Sequence, residues 1–327
     1  LFQLIYNKKF NIIRISFFLI IATFVRVDLI FLVIPIMVAI IMSYRFSEGL
    51  KKLVIIFLIL AIPWTLWFAR NYYHGLQVFP QHLGHEILRI DNVNYNDNSP
   101  DGYVKWLNSW TFNYYQVAAT YHPMSSQEYK DIFVDFENMK LDEDIIKESK
   151  ELLNKLINYS NQPFPKAIDD EFRRLAQISI SRDKFNYYLI LPFKRIIYQW
   201  GSMTDSNGWP IELEITHEER IRLLNANFKV KAGWILDNLA TALLKVIPNF
   251  WRLTILVIFL ISLIIGFKDK RLKNLMLVVL SYFLVKNIFA GYANFIEVRY
   301  LVNLIPLLEI ICCLSIISIF ERKKIEG

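Results

Sequence analysis

The chain has 327 residues, of which 54% are hydrophobic and only 20% charged, with a formal net charge of +7. A soluble domain carries roughly a quarter charged residues and about 45–50% apolar ones, so an ordinary soluble composition is excluded. Two cysteines exclude a disulfide scaffold and a Cys-rich zinc or iron–sulfur site. The basic balance invites a nucleic-acid partner until the charges are placed. The first residue is Leu1 and no signal peptide precedes the first apolar run, so the chain reads as part of something longer that lacks its N-terminal portion.

A spanning helix needs about 20 predominantly apolar residues. Residues 12–44 are apolar apart from Arg26-Val27-Asp28. They read as two short helices of about 13–16 residues, each spanning roughly 20–24 Å, joined at that tripeptide. Being shorter than the ~30 Å hydrocarbon core, they place the turn below the membrane surface. Residues 53–69 give a third span, and 250–267, 275–290 and 300–320 give three more. The fold class is therefore an α-helical polytopic membrane protein. It has six predicted transmembrane helices and a large, mostly helical external insert. The divisions are 1–69, 70–247 and 248–327.

Lys and Arg in short loops set orientation. The clusters Lys8, Lys9, Arg14; Arg45, Lys51, Lys52; Lys268, Lys270, Arg271, Lys273; and Arg322, Lys323, Lys324 fall on one side if there are six crossings. That side is the cytoplasm. The insert 70–247 holds 20 Lys and Arg against 23 Asp and Glu, a net −3, which leaves +10 in the remainder. The basic balance thus belongs to membrane flanks. No basic face remains for nucleic acid, which is excluded as a partner.

Within the insert, the first fifty residues are rich in Asn, Asp, Gly, Pro and aromatics, most densely over 91–102, and read as loop, with helices after it. Ser125 with Glu128 predicts a capping box ahead of a helix to about Ile157. Pro165 starts another helix, with Asp169, Asp170 and Glu171 early and Phe172, Leu175 and Ile178 on one face. Residues 186–200 mix aromatics and aliphatics with Lys194-Arg195 and are expected at the membrane interface. Thr216 with Glu219 predicts a further helix to Ile247, stopped by Pro248.

No Gly-rich phosphate loop, HExxH or GxSxG motif is present. His82, His85 and Glu86 are either a polar loop or a ligand or phosphate contact. Ionisable groups at membrane depth are costly and usually functional or paired. Arg26 and Asp28 stand at the recessed turn, Lys286 and Glu309 lie inside two late helices, and Arg299-Tyr300 mark the mouth of the last. Plain alternatives are a local Arg26–Asp28 ion pair, snorkelling of Arg299, and a structural pairing of Lys286 with Glu309. Cys312 and Cys313 read as packing residues.

The stretch Pro63-Trp64 … Arg70-Asn71-Tyr72 … Gly75 … Phe79-Pro80 … Gly84 resembles the segment after a transmembrane helix in GT-C type membrane glycosyltransferases. More narrowly, it resembles the bacterial relatives of the dolichyl-phosphate-mannose–protein mannosyltransferases and the lipid A aminoarabinose transferase. Ala22–Asp28 is similar to the family's turn between two short helices. Asp170–Trp200, with Arg173-Arg174, Ala176, Tyr187-Tyr188 and Arg195, is similar to its membrane-proximal helices. Arg299-Tyr300 with Pro306 resembles the opening of a late helix. Two departures stand out: Arg182-Asp183 where the family has Asn-Pro, and Trp67 inserted between Trp64 and Arg70.

The resemblance implies sugar transfer from a polyprenyl-phosphate-linked donor to a glycan, lipid or protein acceptor on the external face of the inner membrane. The outcome would be inversion. It implies substrate contacts from Arg26, Asp28, Arg70, Asn71, His85, Arg299 and Tyr300. The departing phosphate would be stabilised by side-chain cations or a divalent metal, and no cofactor is fixed. The family's acidic general base lies in the first external loop, expected upstream of Leu1, so this chain alone is expected to be inactive. Rival readings are a transporter or flippase, favoured by Lys286 and Glu309, a non-catalytic membrane scaffold, and an O-antigen polymerase or ligase-like protein.

Overall fold

The computed structural model describes residues 11–25, 27–74, 101–112, 142–157, 165–201, 227–269, 272–292, 301 and 304–326. Among these the secondary structure is helical throughout. Among the described residues, three helices are long and apolar enough to cross a membrane: Phe46–Tyr73, Asn249–Lys268 and Lys273–Tyr292. Ile12–Val25, Leu29–Ser43 and Ile305–Ser318 are apolar but shorter. The helices fall into two packing units. One is Leu1–Ile196 with Leu280–Ile296, and the other is Ile197–Val279 with Glu297–Gly327.

In the first unit, α1 (Ile12–Val25) is followed by a 3₁₀ segment, Val27–Leu32, and by α2 (Val33–Ser43). The expected tripeptide joint is thus wider, and α2 is shorter, at 11 residues, than the expected length. Pro35 explains both. It has no N–H to donate toward Phe31, so a first-turn position suits it, whereas an earlier start of α2 would place it in the helix interior at about 3 kcal/mol. The third helix, α3 (Phe46–Tyr73), starts with Glu48 in its first turn and ends with Arg70 in its last, both matching the helix dipole. Glu48 pairs with Lys52 at 3.5 Å, one turn on. Gly49, Leu53, Ile56 and Leu60 form one buried stripe. Val54, Ile55, Phe57, Leu58, Ile62 and Leu66 on the other faces are exposed. A helix with apolar side chains on every face is stable only where its surroundings are apolar, since each large side chain left in water forgoes about 1.5–3 kcal/mol.

Three further helices of this unit form a hydrophilic group. They are α4 (Asp101–Asn108), α5 (Glu143–Ile157) and α6 (Lys166–Arg182). The loop expected over the first fifty residues of the insert is corrected here: α4 begins at Asp101, within it. Tyr103, Trp106, Leu107 and Trp110 recur at i, i+3, i+4 and i+7, and all are buried. Tyr103 and Trp106 meet Phe172 of α6 with ring centroids at 4.9 and 4.8 Å. The Trp106 indole donates to Ser149 Oγ of α5 at 3.2 Å. As expected, α6 starts from Pro165 and buries Phe172 and Leu175, whereas Ile178 of the expected face is only half-buried. Arg174 pairs with Glu148, and Arg182 grips Asp142 and Asp144, fastening α6 to α5 along their exposed edge. After Asp183 come a π-helical turn, Asn186–Ile190, and α7 (Leu191–Gly201).

In the second unit, α8 (Phe228–Asp237) is capped by Asn227, whose side chain accepts from the Val230 N–H. A break at Asn238 leads to α9 (Leu239–Lys268), which runs through Pro248 without interruption. The stop expected at Ile247 is therefore a correction: the chain breaks about ten residues earlier. A helix-interior proline costs about 3 kcal/mol, and continuity of a long apolar helix outweighs it. The helix α10 (Lys273–Tyr292) follows, with its residues from Leu280 on belonging to the first unit, and then α11 (Ile305–Glu326), which begins later than the expected Tyr300. The helices α9 and α11 pack together, with Ile255 and Phe259 on one and Leu308 and Ile311 on the other fully buried. Polar pairs tie them: the Trp251 indole donates to Glu309 Oε1 at 2.7 Å, and Ser318 Oγ donates to Asp269 Oδ2. The capping boxes expected at Ser125/Glu128 and Thr216/Glu219 lie outside the described residues.

Candidate functional site

Of the residues expected at the site, Arg70 and Asn71 are described with their side chains. Arg26, His85, Arg299 and Tyr300 lie outside the described residues, and Asp28 is described only as part of the 3₁₀ segment. Arg70 and Asn71 are brought together. Arg70 Nη1 donates to Asn71 Oδ1 at 3.2 Å. Asn71 is 5% exposed, whereas Arg70 is exposed. The buried amide thus anchors one arm of the guanidinium of an exposed residue. A guanidinium presents five N–H groups, so an anchored arm leaves a fork suited to phosphate or carboxylate.

Below Arg70 the helix carries an aromatic cluster. Trp64 lies 5.7 Å from both Trp67 and Phe68, and it stacks on Phe24 of α1 at 5.3 Å. Above it, Tyr72 and Tyr73 are 79% and 86% exposed. Lys52 and Arg70 are separated by roughly 27 Å along the helix at 1.5 Å per residue. The span between them matches the ~30 Å hydrocarbon core, and aromatic side chains gather at such boundaries. A helix crossing a bilayer with this register holds Arg70 at head-group level.

A second set of charges builds the walls of the same unit. Asp169, on the first turns of α6, is buried and accepts from the Gly102 and Tyr103 N–H groups at 3.0 and 2.9 Å. Those N–H groups begin α4 and have no partner within their own helix. Arg173 completes the set, donating to Asp169 Oδ2 at 3.0 Å. Burial pushes the Asp169 carboxyl above its ordinary value, against the hydrogen bonds from Tyr103 and Gly102 and the Arg173 charge, which lower it. The approach is close enough to require glycine: a Cβ on Gly102 would lie 1.9 Å from the Asp169 carbonyl oxygen.

Arg195 of α7 is the counterpart, 3% exposed. It donates through Nε to Thr111 O at 2.9 Å, through Nη1 to Gly291 O at 2.9 Å and through Nη2 to Asn108 O at 2.7 Å. One guanidinium therefore joins the end of α4, the end of α10 and its own helix. The sequence placed Arg195 in a segment expected at the membrane interface and within a resemblance, and gave Asp169 no role beyond helix composition. The signal that identifies Asp169 is its position one turn into α6 facing a glycine-led helix start, 67 residues away in sequence.

Lys286 is buried in α10, and Glu309 of α11 is held by Trp251. Among the described residues no three His, Cys, Asp or Glu side chains stand close enough to hold a metal ion. No family model, curated protein or solved structure matches this chain.

Proposed function

We propose that this chain is part of a membrane-embedded glycosyltransferase of the GT-C type, which moves a sugar from a polyprenyl-phosphate carrier to an acceptor at the external face. The reading takes six crossings, with residues 70–247 outside and the Lys and Arg clusters inside. One observation carries it. The most family-like stretch, Pro63-Trp64 … Arg70-Asn71-Tyr72, lies on one continuous apolar helix and ends in an amide-anchored arginine above an aromatic cluster. A lipid phosphate lies at head-group level, and a guanidinium there is the group that would grip it.

The chemistry follows from that placement. An acceptor hydroxyl oxygen attacks the anomeric carbon, and its proton passes to a carboxylate base. The bond from that carbon to the phosphate oxygen breaks, and the lipid phosphate leaves with the electron pair. Arg70 neutralises the charge that grows on the leaving phosphate. Arg26, Arg299 and His85 are further cationic candidates, with Asp28 orienting Arg26 and Tyr300 beside Arg299. In the resembled family the base sits on the first external loop, which none of the matching stretches represents. The net −3 of residues 70–247 bears on acceptor recognition.

The test uses the full-length protein in lipid nanodiscs, with a polyprenyl phosphate as probe because it is the product common to every sugar. Arg70→Ala is expected to weaken binding about 10–100-fold, the loss of one charge-assisted phosphate contact. Arg70→Lys should recover part of it. Binding no tighter than that of an ordinary phospholipid, or unchanged in Arg70→Ala, would sink the reading.

A further inference from the structure

Two basic stretches of the second unit are joined by one buried hydrogen bond. The link from α9 to α10 reads Lys268-Asp269-Lys270-Arg271-Leu272-Lys273, four cations against one carboxylate. The last turns of α11 carry Arg322, Lys323 and Lys324 against Glu321 and Glu326. Ser318 Oγ of α11 donates to Asp269 Oδ2 across 49 residues of sequence, and both residues are buried. The end of α9, the first turns of α10 and all of α11 lie in the same packing unit.

The link is tightly built. The Asp269 N–H donates to Gly266 O, and the Leu272 and Lys273 N–H groups donate to Asp269 O. A Cβ on Gly266 would lie 2.5 Å from Met276 Cγ, so α9 and the start of α10 meet where only glycine stands. The carboxylate of the link is the buried partner of Ser318, whereas Lys268 and Lys273 on either side of it are exposed.

Depth follows from helix length. Asn249–Lys268 is 20 residues long. At 1.5 Å per residue it covers roughly 30 Å, the thickness of the hydrocarbon core. Lys268 and Lys273 therefore stand at the edge of that core, and the bond to Asp269 brings Ser318 to the same level. Arg322 follows Ser318 by one turn, which places the basic end of α11 roughly 6–9 Å beyond the edge. The head-group layer is about 5–7 Å thick on each side, so the two stretches stand at its inner and outer borders.

Orientation alone does not call for this arrangement. A positive-inside bias needs cations near span ends, not two clusters pinned to one another through a buried bond. Clusters of about four to eight Lys and Arg beside a spanning helix attract anionic head groups. We propose that the α9–α10 link and the last turns of α11 form one binding site for the head-group phosphate of an anionic phospholipid. Lys268 and Lys273 stand at its hydrocarbon edge, Arg322, Lys323 and Lys324 at its outer border, and the Asp269–Ser318 bond holds the two halves together. The site does not depend on sugar transfer; it needs α9 to cross the membrane.

The test titrates the full chain in detergent micelles with phosphatidylglycerol carrying a fluorescent acyl tail, and with phosphatidylcholine carrying the same tail. Phosphatidylglycerol should bind several-fold tighter, by a margin that shrinks as salt rises. Lys268→Gln combined with Lys273→Gln should weaken its binding about 25-fold at low salt, about five-fold for each charge. Equal affinity for the two lipids, or unchanged affinity in this double variant, would overturn the proposal. Ser318→Ala keeps every charge and removes the bond, and should weaken phosphatidylglycerol binding several-fold. Full retention there would mean that the two clusters act separately, which overturns the single site. Inorganic phosphate at the lipid's concentration should displace nothing; displacement would mark a site for free phosphate and overturn the lipid assignment.

Discussion

Asp169 and Arg195 hold opposite ends of one short helix. The carboxylate accepts from the first N–H groups of α4, at Gly102 and Tyr103, and the guanidinium donates to carbonyls at its other end, Asn108 and Thr111. Negative charge at a helix start and positive charge at its end both complement the helix dipole. Two further carbonyls of the last turn are bonded: Ser109 Oγ donates to Trp106 O, and Thr111 Oγ1 to Leu107 O. An eight-residue helix is too short to stand alone. It exists here because both ends are satisfied from distant sequence and because its aromatic face is buried on Phe172.

Asp169→Asn should therefore destabilise the protein although it is nearly isosteric. An amide keeps one acceptor and turns an N–H toward a backbone N–H, leaving a buried donor unsatisfied at about 1–3 kcal/mol. The thermal transition in detergent should fall accordingly. A variant as stable as the parent would show that the carboxylate does not hold α4.

The same residue gives a pH dependence of defined sign. Burial raises the folded-state value of Asp169 above 3.8, so through the window that opens at 3.8 and runs upward the folded chain holds more protons than the unfolded one. Stability contributed by this group then falls as pH rises through that window and is level above it. Asp144 acts oppositely. The Arg182 hydrogen bond lowers its value, so its contribution is present above 3.8 and is lost as pH falls further. The difference in stability between parent and Asp169→Asn, followed by denaturant titration across acid pH, should change with the Asp169 sign. The reverse slope would refute the burial argument.

Glycine substitutions separate close approach from helix propensity. Gly291→Ala would set a methyl 2.8 Å from Pro192 O and 3.2 Å from Ile196 Cγ1, so α7 must shift, at about 1–3 kcal/mol. Gly233, within α8, has nothing within 4 Å of the same position. There Ala should stabilise by about 1 kcal/mol. Thermal shifts of opposite sign are expected; a shift of the same sign in both would mean that Gly291 is not held against α7.

The apolar helices were legible in the sequence because continuous hydrophobic runs need no tertiary information. The start of α6 at Pro165, with Phe172 and Leu175 inward, was legible for the same reason of period. What was missed depended on remote partners. The stripe Tyr103, Trp106, Leu107 and Trp110 was present, but the Asn and Asp run before it and Gly102 within it argued for loop. The deciding group, Asp169, is 67 residues away. Pro248 was read as a stop because its local cost is visible and the helix-wide gain is not. At the candidate site the Arg70–Asn71 pair was readable as adjacent residues, whereas the burial of Asn71 that fixes the arginine was not.

The Tyr292 hydroxyl donates to Tyr188 O at 2.6 Å, and this bond makes a prediction that only its local cause explains. In an α-helix the donor to Tyr188 O would be the N–H of residue 192, and Pro192 has none. Tyr292→Phe removes the donor to Tyr188 O at a position where Pro192 cannot replace it, and should cost about 0.5–1.5 kcal/mol. Pro192→Ala restores an N–H to the helix and lets that carbonyl be satisfied within α7. The double variant should then lose less than the two single losses combined, with a coupling of about 0.5 kcal/mol or more for residues in direct contact. Denaturant titration of the four proteins closes the cycle. Strict additivity would mean that the phenol is not standing in for the missing proline N–H, and the junction of α10 with residues 184–196 would have to be held by Arg195 and Gly291 alone.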